Sequence, residues 1–448
     1  MSISSGKEAF ILFIGDVVLF LISLWLMLFI RYHDVPSREL IQAHLIPFSA
    51  LFVVWVIVFF IAGLYEKHTA ILKSKLPIII FNAQIINSLL AVAFFYFIPY
   101  LGITPKTNLF IYLALSFLFI LYWRIYGYSV FGSRYYENAL LIGSGSEMKE
   151  LLHEVNNNNR YGLKFISSVD ADRLSSLDFQ EEILKRVYSE NVKIIALDLQ
   201  NDKIEPVLSH LYNLLFSKVR FIDMHKIYED VFDRIPLSLV KYSWFLENIS
   251  AMSKFTYDFL KRSMDIIVSS ILGLVSLIFY PFVFIAIKID DGGPLFFKQD
   301  RIGKNNKIIQ IFKFRTMPVH NESDGIAKEV TPTRVGKILR RSRVDELPQL
   351  WNIFKGDLAL IGPRPEIPAL VKVYEKDISY YNIRHLIKPG LSGWAQIYHK
   401  SPPKFNASVE ETKGKLSYDL FYIKNRSILL DIKISLKTVK TLFSRSGV

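Results

Sequence analysis

The chain contains no cysteine in its 448 residues. That absence excludes disulfides, thiolate metal sites and a cysteine nucleophile. Acid is also in short supply: 41 Asp and Glu stand against 54 Lys and Arg, a net charge of +13, while 51% of residues are hydrophobic. A basic chain with so much apolar content reads as a membrane protein with a basic cytoplasmic face. Such a face suits anionic head groups or phosphorylated substrates better than nucleic acid. No small-residue cleavage site follows the first apolar run, so Phe10–Ile30 reads as a spanning helix and not a removable signal. No internal repeat is visible, and the length predicts two or three domains.

Four apolar runs, Phe10–Ile30, Leu45–Leu64, Pro77–Tyr100 and Leu109–Tyr128, are each about long enough to cross ~30 Å of hydrocarbon. Lys7, Lys67, Lys73, Lys75, Arg124 and Arg134 fall on one side of this bundle, and Arg31, Arg38 and Lys106 on the other. The bias predicts both bundle ends in the cytoplasm. Asp16, inside the first run, is either a functional group or a residue paired between helices. From Tyr135 to Ser250 the rhythm becomes α/β. Strand-like runs Ala139–Ile142, Leu163–Val169, Lys193–Leu199 and Val219–Asp223 alternate with helix-compatible stretches such as Glu147–Asn156 and Gln180–Glu190, predicting a small parallel sheet. Gly143-Ser144-Gly145 follows the first strand as a dinucleotide loop would. However, Met148 stands at the third glycine position, and Asp170 is only a loose match for a ribose-binding acid.

Ile266–Ile287 holds no charge between Asp265 and Lys288, but it contains Pro281. Its length admits a proline-kinked span. Parity argues differently, because a fifth crossing would export a region whose 298–345 portion carries 12 Lys/Arg against 5 Asp/Glu. The segment 261–288 is therefore predicted to be a re-entrant helix bent near Pro281. Lys261, Arg262 and Lys288 would sit among head groups. Further on, Leu429–Phe443 is amphipathic, with Lys433, Lys437 and Lys440 on its polar side. It suits either a membrane interface or a domain core.

The chemistry gathers in Arg340-Arg341-Ser342-Arg343-Val344-Asp345-Glu346, followed by Gly362-Pro363-Arg364-Pro365. Arginines bind phosphate oxygens, one carboxylate can attack phosphorus, and the other can hold a metal. The arginine cluster predicts that Asp345 stays ionised. The prolines around Arg364 fix its backbone and so pre-position the guanidinium. Taken alone, an Asp-Glu pair is far more often a solvated helix face. Lys313-Phe314-Arg315-Thr316-Met317 ends the strand-like run Ile308–Phe314. Lys388 to Gln396 joins turn residues to an aromatic and an amide, as a nucleoside or sugar pocket needs. In isolation these would be a surface charge pair and a β-turn.

From Lys261 onward the chain resembles the bacterial sugar transferase family, monotopic phosphoglycosyl transferases that act on polyprenol phosphate. The matching stretches run in order: Lys261-Arg262 with Asp265, Gly293 to Phe297, Gln299 to Gly303 and Lys313 to Met317. They continue with Asp345 to Leu350, Gly362 to Pro365, Pro389 to Gln396, Asp419 with Tyr422 to Asn425, and Leu430-Asp431. The resemblance implies a re-entrant helix carrying a small α/β domain with interfacial helices. It also implies a two-step reaction. Asp345 would attack the sugar-bearing phosphorus of a UDP-sugar, expelling UMP, and undecaprenyl phosphate would then collect the phosphosugar. Glu346 would help hold Mg²⁺, while Arg340, Arg364 and Arg315 would bind phosphate oxygens. Gln396 belongs to the substrate pocket, and Asp419 is a supporting or proton-handling carboxylate. The implied setting is the cytoplasmic face of a bacterial inner membrane, early in capsule, O-antigen or exopolysaccharide assembly, with a homodimer as a further expectation. The chain departs from many relatives in having Tyr280-Pro281 where they have Ser-Pro. It also has Ile397 to Pro403 where they have a Gly-Arg element, so no sugar specificity carries over.

The first part of the chain resembles the four-helix plus Rossmann-like extension of larger family members. The expected architecture is membrane α plus α/β. It comprises a bundle at 1–134, a degenerate Rossmann-like domain at 135–250 and a transferase domain at 251–448. Two other readings are open. A membrane-anchored nucleotide-sugar dehydratase would use a Tyr-x-x-x-Lys pair, a spacing that Tyr257 and Lys261 match. A non-catalytic assembly scaffold would not depend on Asp345.

Overall fold

The computed structural model describes residues 6–65, 76–98, 105–127, 136–158, 161–171, 178–217, 219–249, 255–318, 331–398 and 409–443. Lys67, Lys73, Lys75 and Arg134, which entered the charge bias, lie outside these residues, as do His399 to Pro403. Contacts divide the chain into two compact units, Met1–Val231 and Phe232–Val448.

In the first unit the four apolar runs become α1 (Gly6–Tyr32), α2 (Arg38–Ala62), α3 (Leu76–Phe97) and α4 (Pro105–Tyr122). Ser37 starts α2 by accepting the Leu40 N–H, and Gly63 ends it at φ 85°, where a side chain would be strained. Four stretches of 19 to 25 residues are long and apolar enough to cross a membrane, three of them within α1 to α3 and the fourth, Asn108–Tyr126, running past the end of α4. The bundle interior is aromatic: Phe20, Phe48, Phe52, Trp55, Phe59 and Tyr112 are buried against one another. Its outside is apolar too, with Ile46 71% and Phe110 76% exposed, as lipid-facing surface requires. Asp16 proves to be paired between helices. It meets Arg124, beyond the end of α4, and accepts from the Tyr65 hydroxyl at 2.7 Å.

The four strand-like runs form a parallel sheet of order β2-β1-β3-β4: β1 Glu137–Gly143, β2 Leu163–Asp170, β3 Ile194–Leu197 and β4 Arg220–Asp223. The crevice between the carboxyl ends of β1 and β3 is where such a sheet would hold a dinucleotide. Here it is filled from within. The Met224 sulfur stands 3.0 Å from where a Cβ on Gly143 would lie. Asn201 donates to Ser144 at 3.1 Å, and His225 meets Asp198 at 3.0 Å.

In the second unit, after the short helix Tyr242–Asn248, come two helices, Phe255–Ser276 and Tyr280–Asp290, set at 57° to each other. Pro281 removes an N–H at the start of the second helix. The chain crosses the break on tighter bonds, Phe279 N to Ser276 O (2.9 Å) and Tyr280 N to Leu277 O (3.2 Å). An antiparallel hairpin follows, β5 (Phe296–Ile302) with β6 (Ile308–Phe314), then a short parallel pair, β7 (Ala359–Ile361) with β8 (Gly390–Ser392). The core lies under Val409–Lys424 and Ile428–Phe443, where Trp394, Leu420, Tyr422 and Ile434 are buried. Ile235, Val240, Trp244 and Phe245 pack into the same core. The last helix turns Asp431, Ile434 and Lys437 inward, so this amphipathic segment packs on the domain core.

Candidate active site

The apolar spacing around the arginine cluster suggests one helical run, but the fold makes two. Arg334–Ser342 is capped by Thr333, whose hydroxyl accepts the Gly336 N–H at 2.9 Å. The helix stops at Arg343, which takes a left-handed φ of 58°, uncommon for a residue with a β-carbon. A 3₁₀ turn, Val344–Glu346, carries the acidic pair before the helix Gln349–Lys355 begins. This detour turns Asp345 inward to 7% exposure, and its Oδ1 finds no hydrogen-bond donor among the described residues.

Glu346 sits among cations. Its Oε1 lies 3.2 Å from Arg364 Nη2, 3.4 Å from Lys313 Nζ and 3.7 Å from Arg343 Nη1. The two neighbouring carboxyls therefore diverge. Burial, reinforced by the Glu346 charge, pushes Asp345 up to about 6 against the pull of Lys313, Arg343 and Arg340. Burial also works to raise Glu346, but Arg364, Lys313 and Arg343 outweigh it and hold that carboxyl down at about 2. The arginine cluster does lower the Asp345 carboxyl, as expected, but burial outweighs it, and the group is mainly ionised only above about 6. Arg340 donates to Thr316 Oγ1 at 2.9 Å and Arg343 faces Glu346, so neither matches the cost of burying Asp345.

Arg364 reaches Glu346 from a loop between β7 and the helix Pro368–Asp377. The loop leaves β7 at Gly362, where two backbones meet. A Cβ on Gly390 would stand 2.1 Å from the Gly362 nitrogen, which only glycine avoids. Lys313 arrives on β6, held in register by Asn352. That side chain donates to Gln310 O (2.7 Å) and accepts from Phe312 N (3.1 Å).

Other sequence-predicted residues lie elsewhere. Arg315 pairs with Asp291 beside Gly293 and not with the acidic pair. Gln396 follows β8, its buried Oε1 without a donor among the described residues. Asp419 is 1% exposed and pairs with Arg384 at 2.8 Å. Pro281 sits in the first turn of its helix, at the bend.

Lys261, Arg262 and Asp265 were expected among head groups or at the helix base, and all three make contacts within the domain. Lys261 meets Asp431 at 2.9 Å. Arg262 donates to the carbonyls of Ile353 (2.8 Å) and Phe354 (2.7 Å), closing the helix that follows Glu346. Asp265 accepts the Leu360 N–H at 3.0 Å, in the strand that leads to Arg364. Asp265→Ala should lower stability by about 1–3 kcal/mol through that orphaned N–H. An unchanged thermal melt would show that the helix base is not fastened to β7. Tyr257 also ends on Asp431, at 3.0 Å, so both members of the Tyr-x-x-x-Lys spacing serve one buried carboxylate.

Sequence reading missed Arg384 and Asn352. Each sits in a short helix among other polar residues, Gln349 and Lys355 with Asn352 and Asn382 and His385 with Arg384, so no contrast in the sequence marked it.

Residues 256–445 match the model of the family described as bacterial sugar transferase. A UDP-N-acetylgalactosamine-undecaprenyl-phosphate N-acetylgalactosaminephosphotransferase from Aeromonas hydrophila is 40% identical over 198 residues, 43% of this chain and 45% of that protein. A UDP-glucose:undecaprenyl-phosphate glucose-1-phosphate transferase from Escherichia coli (strain K12) is 36% identical over 185 residues, 40% of this chain and 39% of that one. These matches thus span less than half of either relative. The exopolysaccharide production protein PSS of Rhizobium leguminosarum bv. phaseoli is 38% identical over 194 residues, 42% of this chain but 96% of its own length.

Proposed function

The chain belongs to the bacterial sugar transferase family, and on that premise we propose that it moves a sugar 1-phosphate from a UDP-sugar to undecaprenyl phosphate, releasing UMP. The observation that carries this reading is Asp345: a buried carboxylate with an unengaged oxygen, beside four cations that outnumber the acidic pair. The net positive field suits a diphosphate. Asp345 Oδ1 attacks the phosphorus that bears the sugar, the phosphorus–oxygen bond to UMP breaks, and UMP leaves with the electron pair. An oxygen of undecaprenyl phosphate then attacks the same phosphorus and displaces Asp345. Division into two displacements lets one site serve a soluble donor and a lipid acceptor in turn. Arg364 and Arg340 orient phosphate oxygens, while Lys313 and Arg343 balance the charge on Glu346.

No three His, Asp or Glu groups converge among the described residues, so no all-protein metal cage is available. Two adjacent carboxylates, one with a free oxygen, do fit a Mg²⁺ shared with a substrate diphosphate. Glu346 would hold it, leaving Asp345 Oδ1 to attack, and the ion would neutralise the diphosphate as its bond breaks.

In this reading the bent helix pair enters the inner membrane and returns to the cytoplasmic face. The transferring unit is 251–448, with the 232–249 segment built into its core. The bundle 1–134 anchors it, and the Rossmann-like part of 135–250 that precedes Phe232 regulates it or forms a homodimer without a dinucleotide. The filled β1/β3 crevice argues against the dehydratase alternative.

Purified protein in nanodiscs would be given undecaprenyl phosphate, Mg²⁺ and a panel of UDP-sugars, and UMP measured. UMP release with one donor, dependent on lipid, is expected. Silence with every donor would overturn the reading in favour of a scaffold.

A further inference from the structure

Pro363 and Pro365 carry no backbone N–H, so the Arg364 loop has few donors with which to tie itself down. It is held by its carbonyls. Pro363 O accepts from Gly390 N at 2.9 Å, and Glu366 O from Ile302 N at 2.9 Å. Between them, Arg364 O accepts from Arg384 Nη2 at 3.0 Å and Pro365 O from Arg301 Nη1 at 3.2 Å. Four successive carbonyls are thus engaged, and the one belonging to Arg364 itself depends on Arg384.

Arg384 is 6% exposed, and a buried guanidinium persists only if charge and donors are matched. Asp419 supplies the charge at 2.8 Å, and the Tyr381 hydroxyl accepts from Nη1 at 2.6 Å. Among the described residues Asp419 is ion-paired with this arginine, and an arginine does not give up its proton. A proton relay from Asp419 is therefore closed along that route.

We propose that Arg384 is a positioning residue that fixes the Arg364 guanidinium for the donor diphosphate, and that Asp419 acts through it as a counter-charge. The proposal rests on the transferase reading above and deepens it. Donor KM, kcat and UDP affinity by calorimetry would be measured on the full chain in nanodiscs. The variants are Arg384→Lys, Asp419→Asn and Tyr381→Phe, each alone and combined with Arg364→Ala.

Arg384→Lys and Asp419→Asn should raise donor KM and weaken UDP binding by about tenfold, a charged hydrogen bond's worth. They should leave kcat within about threefold and the acid side of the pH profile unmoved. In the Arg364→Ala background each should add less than about twofold, because the group they position is gone. Full additivity there would overturn the proposal, as would an Asp419→Asn enzyme that loses kcat and its acid limb at unchanged KM. If the core variants fail to fold, Tyr381→Phe removes a single hydrogen bond and carries the same comparison at about threefold. If wild type turns over no donor, the transferase reading falls, while UDP and inorganic pyrophosphate binding still test the positioning. Wild type that binds neither would sink both.

Discussion

Asp345→Asn is expected to abolish UMP release, with turnover down at least ~10³-fold, and at the same time to make the folded protein more stable near neutral pH. The two outcomes share a cause. Burial and the adjacent Glu346 raise the Asp345 carboxyl from 3.8 to about 6, so the fold disfavours its charged form. A raised carboxyl costs nothing at acid pH below its ordinary value. The cost grows as pH climbs from 3.8 to about 6 and is complete above it, approaching ~3 kcal/mol if the whole shift is Asp345's own. Asparagine keeps the shape without the charge, so its thermal midpoint should exceed wild type at pH 7.5 and converge with it only below the ordinary carboxyl value of 3.8. Equal melts at every pH would remove the argument that Asp345 is a desolvated nucleophile. In wild type, turnover should fall about tenfold per pH unit below about 6, since only the anion attacks.

Glu346→Gln should be the more damaging change to the fold. Arg364, Lys313 and Arg343 share this one carboxylate, and burial already lowers the Lys313 ammonium that Glu346 supports. Breaking a buried pair by removing one member typically costs ~3–5 kcal/mol. Glu346 contributes stability above its ordinary value of 4.5, lost as pH falls through about 2, so at pH 7 the whole loss is felt. Lys313 should then shed its proton more readily, and with the charge around Asp345 unbalanced turnover should fall by ~10²-fold or more. Raising Mg²⁺ separates two roles. If cation-holding dominates, as the three contacts argue, extra Mg²⁺ restores nothing. Recovery at high Mg²⁺ would mean that metal binding is the larger part.

Much of this was legible before any coordinates. All four strand runs of the parallel sheet, the four apolar helices and the β6 run Ile308–Phe314 appear where the period-2 and long apolar patterns put them. The bend beside Pro281 follows from a missing N–H. The errors have a common origin in treating sequence neighbours as spatial neighbours. Arg340 and Arg343 both precede the acidic pair in the chain, yet Arg343 pairs with Glu346 while Arg340 donates to Thr316. Lys313 and Arg315 are two residues apart but serve different acids, Glu346 and Asp291. Periodicity ran through Arg343 because hydrophobic spacing does not report a single left-handed residue. Arg384 escaped notice because its role is to hold a carbonyl, and no side-chain motif advertises that.

The base of the helix Phe255–Ser276 deserves a last consequence. Arg262 and Asp265, three residues apart, hold the end of the segment after Glu346 and the start of the one before Arg364. Beyond Asp265 the same helix bears mostly exposed apolar side chains such as Ile267, Ile271 and Leu274. One helix therefore answers to two kinds of selection. Its first three turns are written letter by letter, since a single inserted residue would swing Asp265 by about 100° away from Leu360. Its later turns need only stay greasy. Over evolutionary time the upper half is free to drift among aliphatic residues, while the lower half keeps its spelling.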